Sequence, residues 1–261
     1  MSSSNYLRTL RLPLILGSSS SSRRSVLTAL GVQFTVISPD IDEKAVRAET
    51  PELLTKAVAN AKMDALIPKC VESYPNGCYV IASDQVVVGP EECAQAREKP
   101  ETEEQARNFV LSYSGKSCST VSHVVVALLT PSSGIDQQQP SDTTTKIIRR
   151  EGSDRSTVYF QKFTEEDVAA ILKPGAAVPL STILPLAKFS HVDSFTYGSD
   201  AAHGRCEANG SATASIYGCA GGLCIEHNAY ARNITSISGS LDSVHGLPVD
   251  LLSKLFQEFN N

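Results

Sequence analysis

The sequence predicts an α/β protein, and three observations carry that prediction. Short apolar runs alternate along the chain with longer stretches whose apolar residues recur at helical spacing. Two of the runs, residues 79–88 and 121–129, are dense in β-branched side chains, the composition of buried strands. The chain is 261 residues long with 41% hydrophobic and 20% charged residues, enough to bury a large core as one domain or one domain with two lobes.

The elements follow in order. Leu12, Pro13, Leu14, Ile15 and Leu16 read as a buried strand with Pro near its start, followed by a loop of five serines, Ser18 to Ser22. From Arg24 onward, Val26, Leu27 and Leu30 lie at helical spacing, and Gly31 stands where a helix ends. Phe34 to Ile37 predicts a second strand, closed by the acidic turn Asp40-Ile41-Asp42-Glu43. Thr50-Pro51 opens a helix with a capping hydroxyl and Pro at the first position. Leu53, Leu54, Ala57, Ala61 and Ala65 are expected on its apolar side, with Lys62 beside them. The strand from Tyr79 runs into Ser83-Asp84-Gln85. Thr102 and Gln105 suggest a capping box opening a helix to Tyr113, and Thr164 caps another. Pro248 begins a terminal helix with Leu251, Leu252, Leu255, Phe256 and Phe259 on one face. Two stretches, at about 130–156 and 175–218, lack such patterns and read as insertions.

The bulk numbers exclude several functions. A net charge of −5 argues against a nucleic-acid partner, which selects a basic surface. No apolar stretch is long enough to span a bilayer, so no membrane association is expected. Seven cysteines, scattered without CxxC pairs, favour a reducing compartment, and a cytoplasmic location is expected. The first 39 residues lack Asp and Glu and carry four arginines, the composition of a transit peptide, but the same stretch also reads as strand, loop and helix. The glycosylation patterns at Asn209 and Asn233 are taken as chance matches.

Several residues have the chemistry of a phosphate site. Short hydroxyls and Arg guanidinium forks at a helix start suit phosphate oxygens, and the serine loop with Arg23 and Arg24 supplies both. Asp84 ends an apolar strand, where sites collect in α/β folds; with Glu43 it could hold a divalent cation and activate a water. Lys62 and Lys99 would add positive charge around a triphosphate. Cys219, Cys224 and His227 lack the spacing and the fourth partner of a structural zinc site.

Taken jointly, LILGSSSSSRRSVLTALG, SPDIDE, Ala61-Lys62, VIASDQVVV, EKPETEEQA, YSGK, AGGLCIE and SVHGLP resemble the Maf family of nucleoside triphosphate pyrophosphatases. The resemblance spans nearly the whole chain outside the two insertions, making it a single Maf-like domain, residues 1–261. It implies an elongated mixed β-sheet flanked by helices, two lobes with a cleft between them, and a homodimer. The implied reaction is Mg²⁺- or Mn²⁺-dependent cleavage of a nucleoside triphosphate between the α and β phosphates, giving monophosphate and pyrophosphate. By the same resemblance, Asp84 is the general base. Ser18, Ser20, Arg23, Arg24, Lys62 and Lys99 bind the phosphates, and Glu43 and Asp84 hold the metal. Asp84-Gln85 and the long serine loop are similar to the branch acting on 7-methyl-GTP, with Gln85 and Glu226 at specificity positions. Ser22 departs from that branch, because an aromatic there would stack on a cationic methylated base and serine does not. A different class of function, a catalytically weak nucleotide-binding regulator of cell division, is the alternative.

Overall fold

The computed structural model describes residues 7–90, 95–132, 145–178 and 213–259. Among these, seven strands form one mixed sheet: β1 (Leu14–Gly17), β2 (Thr35–Val36), β3 (Cys78–Val88), β4 (Ala96–Arg97), β5 (Ser117–Pro131) and β6 (Thr145–Phe160), then, after a separate ladder of β7 (Gly175–Ala176) with β8 (Thr213–Ala214), β9 (Ile234–Ser238). The hydrogen-bonded order is β2-β1-β3-β5-β6-β9, with β4 pairing β3. Strand β1 runs parallel to β2 and to β3, in the register Leu14 to Tyr79 and Gly17 to Ala82. Strands β3 and β4, and β6 and β9, pair antiparallel. The helices are α1 (Ser21–Ala29), α2 (Pro51–Ser73), α3 (Glu103–Tyr113), α4 (Glu165–Ile171), α5 (Asn228–Ala231), α6 (Leu241–Val244) and α7 (Val249–Gln257).

The chain divides into two compact units. The first takes Met1–Gln85, Ser122–Asp154 and His245–Asn261, the second Val86–Val121 and Arg155–Val244. Strands β3, β5 and β6 give residues to both.

In the first unit the strand alternation sorts side chains to two buried faces. Leu14 and Leu16 of β1 join Ile81, Val124 and Val126 in one core, covered by Val26 and Leu27 of α1 and Leu252, Leu255 and Phe256 of α7. Ile15 joins Val80, Ala82, Val125 and Ala127 in the other, covered by Ala59, Met63, Leu66, Ile67 and Cys70 of α2. Gly17 lets α2 settle close to the end of β1, since a Cβ there would overlap Leu66 Cδ1 and lie 3.1 Å from Ile81 O. The second unit has its own core around Tyr113, Phe160 and Tyr230, with ring centroids 6.2 Å (Tyr113 to Phe160) and 5.7 Å (Phe160 to Tyr230) apart. There Thr164 and Asp167 complete a capping box on α4.

Five expectations change. Asp84 lies inside β3, which runs on through Val86 and Val87 to Val88, and not at the strand's end. Helix α1 begins at Ser21, not Arg24, because Ser20 caps it; only the first part of the serine run is loop. Leu53 is 51% exposed, and the buried face of α2 passes through Leu54, Val58, Lys62, Met63 and Leu66. Lys62 therefore sits within the buried face, and the small alanines that suggested the apolar side flank it. Residues 145–156, read as part of an insertion, belong to β6; its alternation was hidden because charged residues such as Arg149, Glu151 and Arg155 occupy exposed positions. Gln105 Oε1 accepts from Glu101 N at 2.8 Å, so the box at α3 is not closed on Thr102 N, although Thr102 Oγ1 does accept from Gln105 N.

Of the second insertion, residues 179–212 lie outside the described residues, as do His191, His203 and the Asn209 pattern. Its flanks are tied by the β7 to β8 ladder, Gly175 opposite Ala214. Asn233 is 1% exposed, its Nδ2 donating to Ala229 O and its Oδ1 accepting from Gln161 Nε2, so its side chain is committed to the interior. Among the described residues, no helix is long and apolar enough to cross a membrane.

Candidate active site

The site in the first unit starts from the cap of α1. Ser20 Oγ accepts from Arg23 N at 3.5 Å, which sets the helix start and turns Arg23 inward from the first turn. Ser18 Oγ accepts from Ser20 N and from Arg23 Nη1, both at 3.2 Å. Arg23 Nε donates to Gly246 O at 3.0 Å, and Ser83 Oγ donates to the same oxygen at 3.1 Å. Two edges of the guanidinium are thus fixed by neutral acceptors, leaving donors uncommitted. Arg23 is 9% exposed and makes no ion pair among the described residues. Burial lowers its pKa, opposed by attraction from Asp84 and then Glu43. A buried cation without a contacting counter-ion is costly, and an anion is what relieves that cost.

Beside it, Lys62 Nζ lies 2.8 Å from Asp84 Oδ1 and 2.9 Å from Glu43 Oε2. The Lys62 side chain is 6% exposed and that of Asp84 11%, while Glu43, on the turn that follows Asp42, is 53% exposed. One ammonium therefore gathers a buried carboxylate from β3 and a surface carboxylate from the acidic turn. With Arg23 the four formal charges balance.

Gln85, next on β3, donates from Nε2 to Ser122 Oγ at 3.0 Å. Gly246 has a φ of +90°, and a Cβ there would lie 3.2 Å from Gln85 Oε1 and 3.3 Å from Arg23 Nε. Ser22 is half-buried and Arg24 exposed on α1. The structure thus brings Ser18, Ser20, Arg23, Glu43, Lys62, Asp84 and Gln85 into one neighbourhood. Lys99 and Glu226 belong to the second unit. Lys99 is exposed beside Glu98, whose carbonyl accepts from Gly221 N at 2.8 Å. Glu226 is half-buried, with Cys224 Sγ 3.6 Å from its Oε2 and Val178 N donating to its carbonyl at 2.8 Å. Both ring nitrogens of His227 are engaged, Nδ1 by Ala229 N and Nε2 by Lys173 O, which removes it as a zinc ligand with Cys219 and Cys224.

Ser83 and Ser122 carry no individual signal in the sequence. Gly246 lay within SVHGLP, and its glycine was the available hint that the backbone turns against something there.

The profile of the Maf-like protein family matches residues 13–181. A 7-methyl-GTP pyrophosphatase of Dictyostelium discoideum is 32% identical over 249 residues, 94% of this chain and 96% of that protein. The chain belongs to the Maf family. Proteins of the same name from Pseudomonas putida and Burkholderia orbicola are 38% and 34% identical over 55% and 61% of this Maf chain, and 71% and 72% of their own. Among the described residues of this Maf protein, no group of three or more His, Cys, Asp or Glu could hold a metal. Glu43 and Asp84, both bonded to one cation and both oxygen donors, nevertheless suit a hard ion such as Mg²⁺, which takes one or two carboxylates and completes its shell with water and phosphate oxygens.

Proposed function

We propose that this Maf protein is a nucleotide pyrophosphatase that adds water across the α–β phosphoanhydride of a nucleoside triphosphate, releasing the monophosphate and pyrophosphate. The observation that carries the reading is the buried Arg23, held on two edges and without an ion pair, next to the Lys62-braced Asp84. Arg23 meets the phosphate oxygens, joined by the hydroxyl and N–H groups of Ser18 and Ser20 and by the exposed Arg24. Lys62 and Lys99 offset the charge of the triphosphate. Asp84 orients the attacking water and takes its proton; before nucleotide arrives, Lys62 Nζ braces that carboxylate at 2.8 Å. Glu43 and Asp84 would hold Mg²⁺ or Mn²⁺. Such an ion, when bound, polarises the phosphate and lowers the charge that the leaving pyrophosphate must carry.

7-Methyl-GTP is the substrate that the similar proteins' names favour, with Gln85 and Glu226 reading the base. Ser22 offers no aromatic face for a methylated purine, so selectivity rests on hydrogen bonds. The enzyme works on free nucleotides in the cytoplasm as a homodimer. Pyrophosphate release across a panel of triphosphates, 7-methyl-GTP included, with Mg²⁺ or Mn²⁺, tests the reading. Turnover is expected, with Asp84→Asn lower by at least about 100-fold, the low end for losing a general base. Tight binding without turnover would instead support a regulator of cell division.

A further inference from the structure

The family role of Lys62, to face the phosphates, does not describe where its ammonium lies. It sits between Glu43 and Asp84, within hydrogen-bond distance of both and almost wholly buried. Those are the same two carboxylates that suit a divalent ion. A charge of 2+ and an ammonium brought to the same oxygens repel each other strongly at such distances. Lys62 engages only one oxygen of each carboxylate, Asp84 Oδ1 and Glu43 Oε2, so each cation weakens the other's hold on the pair.

We propose that Lys62 is a resident counter-ion, occupying in the nucleotide-free protein the place that a divalent cation takes during turnover. It keeps Glu43, otherwise an exposed residue of a surface turn, drawn to Asp84, so the two ligands are gathered before the metal arrives. A metal bound there repels the ammonium, and the negative charge within reach of Lys62 is then the triphosphate. Arrival of metal with nucleotide and transfer of Lys62 from carboxylate to phosphate become one event. Lys62 is thus a positioning residue toward the metal as well as a phosphate ligand. The inference rests on the pyrophosphatase reading and deepens it.

The consequence is competition. Wild-type protein without nucleotide should bind Mn²⁺ weakly, because the ion must displace Lys62. Lys62→Met should bind Mn²⁺ at least about tenfold more tightly, a modest value for removing a full positive charge in contact with two carboxylates. Mn²⁺ titration followed by electron paramagnetic resonance, with no nucleotide present, reads this directly. The gain should vanish in Lys62→Met/Glu43→Gln. Lys62→Met leaves a buried carboxylate unpaired and loses stability, so the thermal midpoint supplies a second readout: Mn²⁺ should raise that of Lys62→Met more than that of wild type. Equal Mn²⁺ affinities and equal midpoint shifts in wild type and Lys62→Met would overturn the proposal. Because these measurements involve no turnover, they are independent of pyrophosphate release; absent release by wild type would sink the pyrophosphatase reading and leave the Mn²⁺ competition to be judged on its own.

Discussion

At the scale of single residues, the site depends on a main-chain oxygen. Gly246 O accepts from Arg23 Nε and from Ser83 Oγ, so the tilt of one peptide sets the direction of the guanidinium. Gly246→Ala would place a methyl 3.3 Å from Arg23 Nε at a φ of +90°, a conformation that costs a non-glycine residue about 1–3 kcal/mol. The expected outcome is a several-fold higher KM for nucleotide with a smaller change in kcat, read from pyrophosphate release. An unchanged KM would remove Gly246 from the positioning of Arg23. Asp84, Lys62 and Arg23 were each singled out in the sequence because a charge within an apolar run, as at Asp84 in β3 and Lys62 in α2, or after a polar loop, as at Arg23, stands out against its neighbours. Their mutual bonds were not legible. Lys62 and Asp84 are 22 positions apart, and Arg23 and Gly246 are 223, distances along the chain over which spacing carries no information.

At the scale of elements, caps and glycines decide where helices stop and how closely they lie on the sheet. Thr50 Oγ1 accepts from Leu53 N at 3.2 Å and starts α2, the helix that carries Lys62. Thr50→Ala is expected to lower stability by about 1 kcal/mol, the usual loss for a capping hydroxyl, with a denaturant melt as the measurement. In the second unit, Gly221 has a φ of +59°, and a Cβ there would lie 2.6 Å from Val87 Cβ and 2.8 Å from Tyr113 Oη, whose hydroxyl donates to Gly221 O at 2.9 Å. Gly221→Ala should cost about 2–3 kcal/mol through combined strain and overpacking. A variant as stable as wild type would show that this turn yields. Caps were readable because Thr50, Thr102 and Thr164 are short-range signals. The first half of β6 was not, because its exposed charged residues resemble a loop until pairing partners are known.

At the scale of the whole molecule, each unit carries a buried histidine and a stabilised carboxylate, and all four contribute to the response to acid. Burial lowers the pKa of His123 and of His227 below 6.5, only partly opposed by Glu151 and by Lys173 O respectively. As pH falls below 6.5 the unfolded chain takes up those protons before the folded one does, so stability declines. Burial would raise the carboxyls of Glu151 and Asp167, yet hydrogen bonds hold both at about 2: Asn60, Lys56 and His123 on Glu151, and Thr164, Arg232 and Asn233 on Asp167. Their contribution is complete above the ordinary carboxylate range, then lost as pH falls toward 2. Thermal midpoints measured from pH 7 to pH 2 should fall in these two stages, and His123→Gln should shrink the first. A midpoint flat between pH 7 and pH 5 would contradict neutral burial of the two rings. The α/β class, the threonine caps of α2, α3 and α4, and the residue types of the candidate site were legible in the sequence, because alternation, helical spacing and capping chemistry act over a few neighbours. Only the tertiary structure decided that Lys62 lies on the buried face of its helix between Glu43 and Asp84, and that Gly246 holds Arg23. Those pairings are set by the packing of remote segments on a shared sheet, and local pattern does not encode which distant partner arrives there.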